Sequence, residues 1–178
     1  QPVTVRRGDI RDLSDLAYFP SLTAVSVQFQ SLTSLESLPA CGVEVFDVSA
    51  NRLTSLSGIE QLPKLTALTA DGNAVTDLTG RGRCLNVRKL RLNGANVSEL
   101  SELRARTKLQ DVTLSHCTRR ELLLPLHKSS LTRVTLVDCD LRGDFFHSFA
   151  RERALTALSL ADGELASTSG LEDFTGLT

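Results

Sequence analysis

The feature that most constrains this chain is that it repeats itself at intervals close to 22 residues. Stepping in both directions from Asn51, within "VSANRLTSLSGIEQLPKLTALTADGNAVTDL" (residues 48–78), gives equivalent positions at Gly8, Gln30, Asn51, Asn73, Ala95, Cys117, Cys139 and Gly163. The steps between them are 22, 21, 22, 22, 22, 22 and 24 residues. Two alternating apolar residues precede each marker: Val3/Val5, Val25/Val27, Phe46/Val48, Leu68/Ala70, Leu90/Leu92, Val112/Leu114, Val134/Leu136 and Leu158/Leu160. Another lies three positions before most pairs, at Leu22, Val43, Leu65, Val87, Leu109, Leu131 and Leu155. Two positions after the marker come Ile10, Leu32, Leu53, Val75, Val97, Leu141 and Leu165, with Arg119 breaking the column. A unit this short cannot bury its apolar face alone, so its copies must stack on one another.

Each column has a physical reading. Alternation of period two, as in "LTALTAD" and "VRKLRLN", predicts short strands with one face buried. Stacked copies predict a parallel sheet, which must be covered by the returning chain. There the apolar spacing becomes three, as in Leu32, Leu35, Leu38 or Leu53, Leu56, Ile59, which suits 3₁₀ turns better than long helices. The bunched leucines of residues 117–131 and Phe145, Phe146 and Phe149 predict more helical returns in the later copies.

The motif LxxLxLxxNxL carried by these copies resembles the leucine-rich repeat along essentially the whole chain. The 22-residue period and the trailing "LxxLxxLxxL" of residues 53–62 are most similar to the intracellular subfamily typified by a regulatory subunit of type-1 protein phosphatase. An axonemal dynein light chain and a spliceosomal snRNP component are also members of that subfamily. The resemblance implies an α/β horseshoe solenoid with a parallel sheet on the concave face and 3₁₀ or short helical and loop segments on the convex face. Residues 1–178 read as a single array of about eight repeats. The array starts and ends mid-repeat without a polar cap, so further repeats or other domains of a longer chain are expected to cover its ends.

The marker column is expected to form an internal ladder. An asparagine amide offers both donors and an acceptor for backbone groups at the corner between coils. Gln30, Asn51, Asn73, Cys117 and Cys139 are assigned to it. Cys117 and Cys139 are read there as buried structural thiols, with a disulfide or a reactive site as the minority alternative. Cys84 is read as core and Cys41 as nearer the surface. The four cysteines show no CxxC pairing that would suggest zinc or redox chemistry.

The sequence carries no familiar catalytic motif. His116, His127 and His147 do not form HExxH, and the "HC" of residues 116–117 has Leu123 where a cysteine phosphatase needs arginine. "GRGR" at residues 80–83 reads as a basic turn, and "DGN" and "DGE" as corner turns rather than calcium loops. The chain is therefore expected to be neither an enzyme nor a holder of a cofactor or metal. A hydrophobic fraction of 41%, a net charge of −1 and the lack of any long apolar run argue against membrane insertion and against a global pull toward nucleic acid.

What remains is a surface. The outward strand columns point to a concave partner-binding set of Phe29, Asp47, Asp71, Lys89, Arg91, Asn93, Asp111, His116 and Arg133. The reading is a scaffold or adaptor for a protein partner, in the cytoplasm or nucleus. One alternative is an RNA-associated subunit using a basic convex edge of Arg81, Arg83, Arg104, Arg106, Lys108, Arg119 and Arg120. The other is an extracellular recognition ectodomain, in which the sequon at Asn96 would matter.

Overall fold

The computed structural model describes residues 2–6, 8–76, 78, 86–95, 108–117, 130–143, 145–149 and 154–178. The alternating segments form β1 (Val3–Arg6), β2 (Ala24–Gln28), β3 (Val45–Asp47), β4 (Ala67–Thr69), β5 (Lys89–Leu92), β6 (Asp111–Ser115), β7 (Arg133–Val137) and β9 (Ala157–Ala161). These make one parallel eight-stranded sheet in sequence order. Its register is the one the repeat predicts, with Val3, Val25, Phe46, Leu68, Leu90, Val112, Val134 and Leu158 side by side. Two short strands beyond the corner, β8 (Asp140–Leu141) and β10 (Glu164–Leu165), pair separately.

Strand entry is set by a row of shared carbonyls. The oxygens of Thr23, Glu44, Thr66, Arg88, Gln110 and Thr132 each accept two consecutive N–H groups from the following coil, at 2.7–3.1 Å. Thr66, Thr132 and Thr156 add their hydroxyls to the same oxygens. The polar backbone at the base of the sheet is thereby satisfied between coils rather than within one.

The ladder closes the opposite corner. Asn51 Oδ1 accepts the Leu32 N–H at 3.2 Å, while Nδ2 donates to the carbonyls of Val27 and Val48 at 2.8 Å. Asn73 repeats this one coil on, accepting from Leu53 N at 3.0 Å and donating to Val48 and Ala70. Gln30 performs the same task with a longer arm, accepting from Ile10 N and donating to Val5 and Gln28. Gly8 makes room for that arm, since a β-carbon there would lie 2.8 Å from Gln30 Oε1.

The residue just before each marker from Gln30 onward is left-handed. Phe29, Ala50, Gly72, Gly94, His116, Asp138 and Asp162 all have φ between 52° and 75°. This conformation swings the chain out of the strand so that the next side chain points inward. Most of these residues donate their N–H to the next coil, as Ala50 does to Asp71 O at 2.7 Å. Gly, Asp and His tolerate the region, but a β-carbon in it costs roughly 1–2 kcal/mol. Ala50→Gly is therefore expected to raise the unfolding free energy by about 1 kcal/mol, read by equilibrium urea denaturation. An unchanged or lower stability would show that the column is not strained.

The return segments carry 3₁₀ turns at Ser14–Tyr18, Ile59–Gln61 and Leu171–Asp173, and a short helix, α1 (Phe145–Phe149). Two of the turns share a design. In "SLSGIE" and "STSGLE" the glycine N–H donates to the following glutamate, Gly58 to Glu60 at 2.8 Å and Gly170 to Glu172 at 3.0 Å. Phe146 packs edge-on to Phe145 and to Phe174, joining α1 to the last coil. The bunched leucines of residues 117–131 lie outside the described residues, apart from Cys117, Ser130 and Leu131. Between sheet and returns runs one continuous apolar core whose fully buried members include Phe46, Leu32, Leu53, Leu65, Leu92, Leu109 and Leu114. At the β1 end this core opens as an apolar cleft of about 250 Å³ between β1, β2 and the first 3₁₀ turn. At the other end Leu165, expected in the core column, is 38% exposed because β10 has a neighbouring rung on one side alone.

Candidate functional site

The open face of the sheet is built from three outward columns per rung. They alternate with the buried pair because successive strand side chains point to opposite faces. In β4 and the turn after it, and in β5, these columns bring Asp71, Lys89, Arg91 and Asn93 together. Asp71 is the hub. Its Oδ2 accepts from Arg91 Nε and Nη2 at 3.2 and 3.0 Å, and its Oδ1 accepts the Asn93 N–H at 2.8 Å. The Asn93 amide also donates to Asp71 Oδ2 at 3.5 Å, while Asn93 Oδ1 is enclosed without a partner among the described residues. Arg133 faces Asp111 at 3.9 Å. Lys89 is exposed and shares in none of these ion pairs.

On flanking rungs Gln28 donates to Asp47 Oδ2, and Asp47 Oδ1 accepts the Ser49 N–H at 3.0 Å. His116 lies 3.3 Å from Asp138 Oδ2 through Nε2, and 3.0 Å from Ser115 Oγ through Nδ1. Phe29 stands at the rim, 57% exposed and in the left-handed conformation. Partly exposed ion pairs of this kind contribute well under 1 kcal/mol each to stability, so they shape a surface more than they hold the fold.

The nine concave residues thus fall into a central cluster of Asp71, Lys89, Arg91 and Asn93, an Asp111–Arg133 pair beside it, and separate positions for Asp47, Phe29 and His116. Two residues of the outward columns differ from expectation. Thr113 and Ser115 belong to outward columns, yet both are buried. Ser115 Oγ accepts the Gly94 N–H at 2.6 Å, taking the place of a carbonyl in the corner bonding. Sequence reasoning also passed over Asp138, whose role as the His116 partner depends on both residues being left-handed. Its signal was an Asp one 22-residue step after His116 in the same column.

The convex arginines, Arg81, Arg83, Arg104, Arg106, Arg119 and Arg120, lie outside the described residues, as do Cys84 and Asn96. Lys108, the described member of that edge, donates to Asn86 Oδ1 at 2.7 Å. Cys41 is half-buried, and Cys117 and Cys139 are buried free thiols. Among the described residues no helix is long and apolar enough to cross a membrane.

No family model matches the chain, and no curated protein matches it. Solved structures do. An internalin C2 from Listeria monocytogenes is 22% identical over 95% of this chain and 74% of its own, with a TM-score of 0.79. A second Listeria monocytogenes internalin is 18% identical over 96% of this chain and 50% of its own, with a TM-score of 0.73. A leucine-rich-repeat protein of Leptospira interrogans is 19% identical over 92% of this chain and 43% of its own, with a TM-score of 0.69. The chain spans half or less of the length of the latter two. These likenesses establish the leucine-rich-repeat solenoid fold.

Proposed function

We propose that this chain is a non-catalytic docking scaffold that holds a protein partner on its concave face, centred on Asp71, Lys89, Arg91, Asn93 and the Asp111–Arg133 pair. One observation carries the reading. A registered sheet face presents a fixed Asp71–Arg91–Asn93 cluster beside an exposed Lys89, with the exposed Phe29 two rungs from Asp71 along the rim. Arginine and aromatic side chains on a rigid support are the groups that most often dominate binding energy. The solved structures with this fold support an interaction role in general, since a solenoid of this kind offers an extended surface and sites are grafted onto it. The 22-residue period, similar to the intracellular subfamily, supports a cytoplasmic or nuclear setting.

The test is a paired affinity purification from native cells, using wild type and a Lys89→Glu/Arg91→Glu variant. The variant is expected to lose a partner that wild type retains, with affinity weakened at least tenfold, roughly 1.4 kcal/mol. Circular dichroism must show the variant folded. If a folded variant keeps every partner, the concave centre is not the docking site.

A further inference from the structure

The ladder changes chemistry along the array. Gln30, Asn51 and Asn73 fill it with amides, Cys117 and Cys139 with thiols, and Gly163 with no side chain at all. As hydrogen-bonding groups the thiols are poor substitutes. Cys139 Sγ reaches a single backbone acceptor, Val137 O, at 3.5 Å, and a thiol is a weak donor. What a pair of thiols has that amides lack is reactivity toward each other.

The fold sets that pair side by side. Cys117 and Cys139 sit two residues past the registered Ser115 and Val137, on neighbouring rungs. The Asp140 N–H donates to Cys117 O at 2.9 Å and fixes the two corners against each other. Adjacent parallel strands lie about 4.8 Å apart. Disulfides join Cα atoms separated by roughly 4.4–6.8 Å, a range that includes this spacing. Both side chains point into the same interior and are hydrogen-bonded to one another.

Access comes from one side. A cleft of about 230 Å³ lies over Cys139, walled by Asp138, Asp140, Arg142 and Glu164. On the next rung Gly163 packs directly on the Cys139 backbone, where a β-carbon would lie 2.8 Å from Cys139 O. Arg142 is held across the opening by Asp140 at 2.7 Å and Glu164 at 3.3 Å.

We propose that Cys117 and Cys139 form a thiol–disulfide site, which reacts through the Cys139 cleft with a small-molecule disulfide and closes a bond between adjacent rungs. Cys139 thiolate attacks one sulfur of the small disulfide, breaking its S–S bond and releasing one thiolate. With the Cys139 thiolate consumed and no longer accepting its hydrogen bond, Cys117 gives its proton to the released thiolate and attacks Cys139 Sγ, forming the protein disulfide and releasing the second thiolate. The two protons lost by the cysteines end on the released thiols. The protein is oxidised by two electrons and the small disulfide is reduced by two. The order follows from the pair itself. The hydrogen bond from Cys117 lowers the pKa of Cys139, although burial opposes it, and the same bond and burial together hold Cys117 protonated. This inference is independent of the concave docking reading.

The test uses folded protein carrying Cys41→Ser and Cys84→Ser, so that the pair alone can react, with the wild type alongside. It is treated with glutathione disulfide, quenched in acid and measured by intact mass and peptide mapping. The expected product has lost two hydrogens, retains no glutathione, and links the peptides of Cys117 and Cys139. Adding Cys117→Ser is expected to trap glutathione on Cys139, and adding Cys139→Ser to abolish the reaction with folded protein. A pair that stays reduced when folded but reacts once unfolded in urea overturns the proposal. So does a stable glutathione adduct on a chain that still has both thiols.

Discussion

Asn51→Ala is expected to lower the unfolding free energy by about 3 kcal/mol, because it removes one side chain that serves two coils at once. Asn51 is 8% exposed, and its amide accepts from Leu32 N and donates to the carbonyls of Val27 and Val48. Val48 O keeps a second donor in Asn73 Nδ2 at 3.0 Å. The Leu32 N–H and Val27 carbonyl, both on buried residues, lose their ladder partner, and an orphaned buried group costs roughly 1–3 kcal/mol. Asn51→Asp keeps the acceptor but sets a carboxylate against two carbonyl oxygens, so it is expected to cost at least as much at neutral pH. Equilibrium urea denaturation of both variants checks this. A loss below about 1 kcal/mol for Asn51→Ala would mean that the ladder orders the corner without stabilising it.

Gly58→Ala and Gly94→Ala are expected to separate sharply. Both glycines have positive φ, 101° and 75°, and both lose that freedom on substitution. At Gly94 the new β-carbon would make ordinary contacts at 3.5 Å with the backbone of Gly72, so the cost is conformational, about 1 kcal/mol. At Gly58 it would overlap the carbonyl of Leu35, which belongs to the backbone of the preceding coil and cannot swing away. The expected loss there is about 3 kcal/mol or more, within the range of overpacking added to strain. Thermal or urea unfolding of the two variants decides it, and equal losses would show that neighbouring coils have slack at the 3₁₀ turns.

The proposed site was partly readable from sequence. Period-two alternation placed Asp71, Lys89, Arg91, Asn93, Asp111 and Arg133 on one face, because strand geometry alone fixes which side chains share a face. Which of them touch was not readable. Asp71 gathers Arg91 and Asn93, whereas Lys89, in the neighbouring outward column, joins none of those pairs. That choice depends on side-chain reach between rungs, to which a column of residue types is blind. The left-handed column was also hidden at Phe29 and Ala50, since neither residue type favours that conformation. The corner is imposed there by the coils on either side, against local preference.

The sequence by itself determined the period, the buried columns, the strand register and the inward ladder. Each of these follows from repetition: a residue that recurs at a fixed step in a stacked array meets its own copies, and their shared polarity decides whether they face core or water. Tertiary structure alone decided what depends on distances between unlike neighbours. It buried Thr113 and Ser115 in columns that read as exposed, required glycine at position 58 because a carbonyl of the previous coil lies against it, and set Cys117 and Cys139 on neighbouring rungs beside a cleft walled by Asp138, Asp140, Arg142 and Glu164. Repetition specifies where a rung goes; the packing of one rung on the next specifies what its exceptions do.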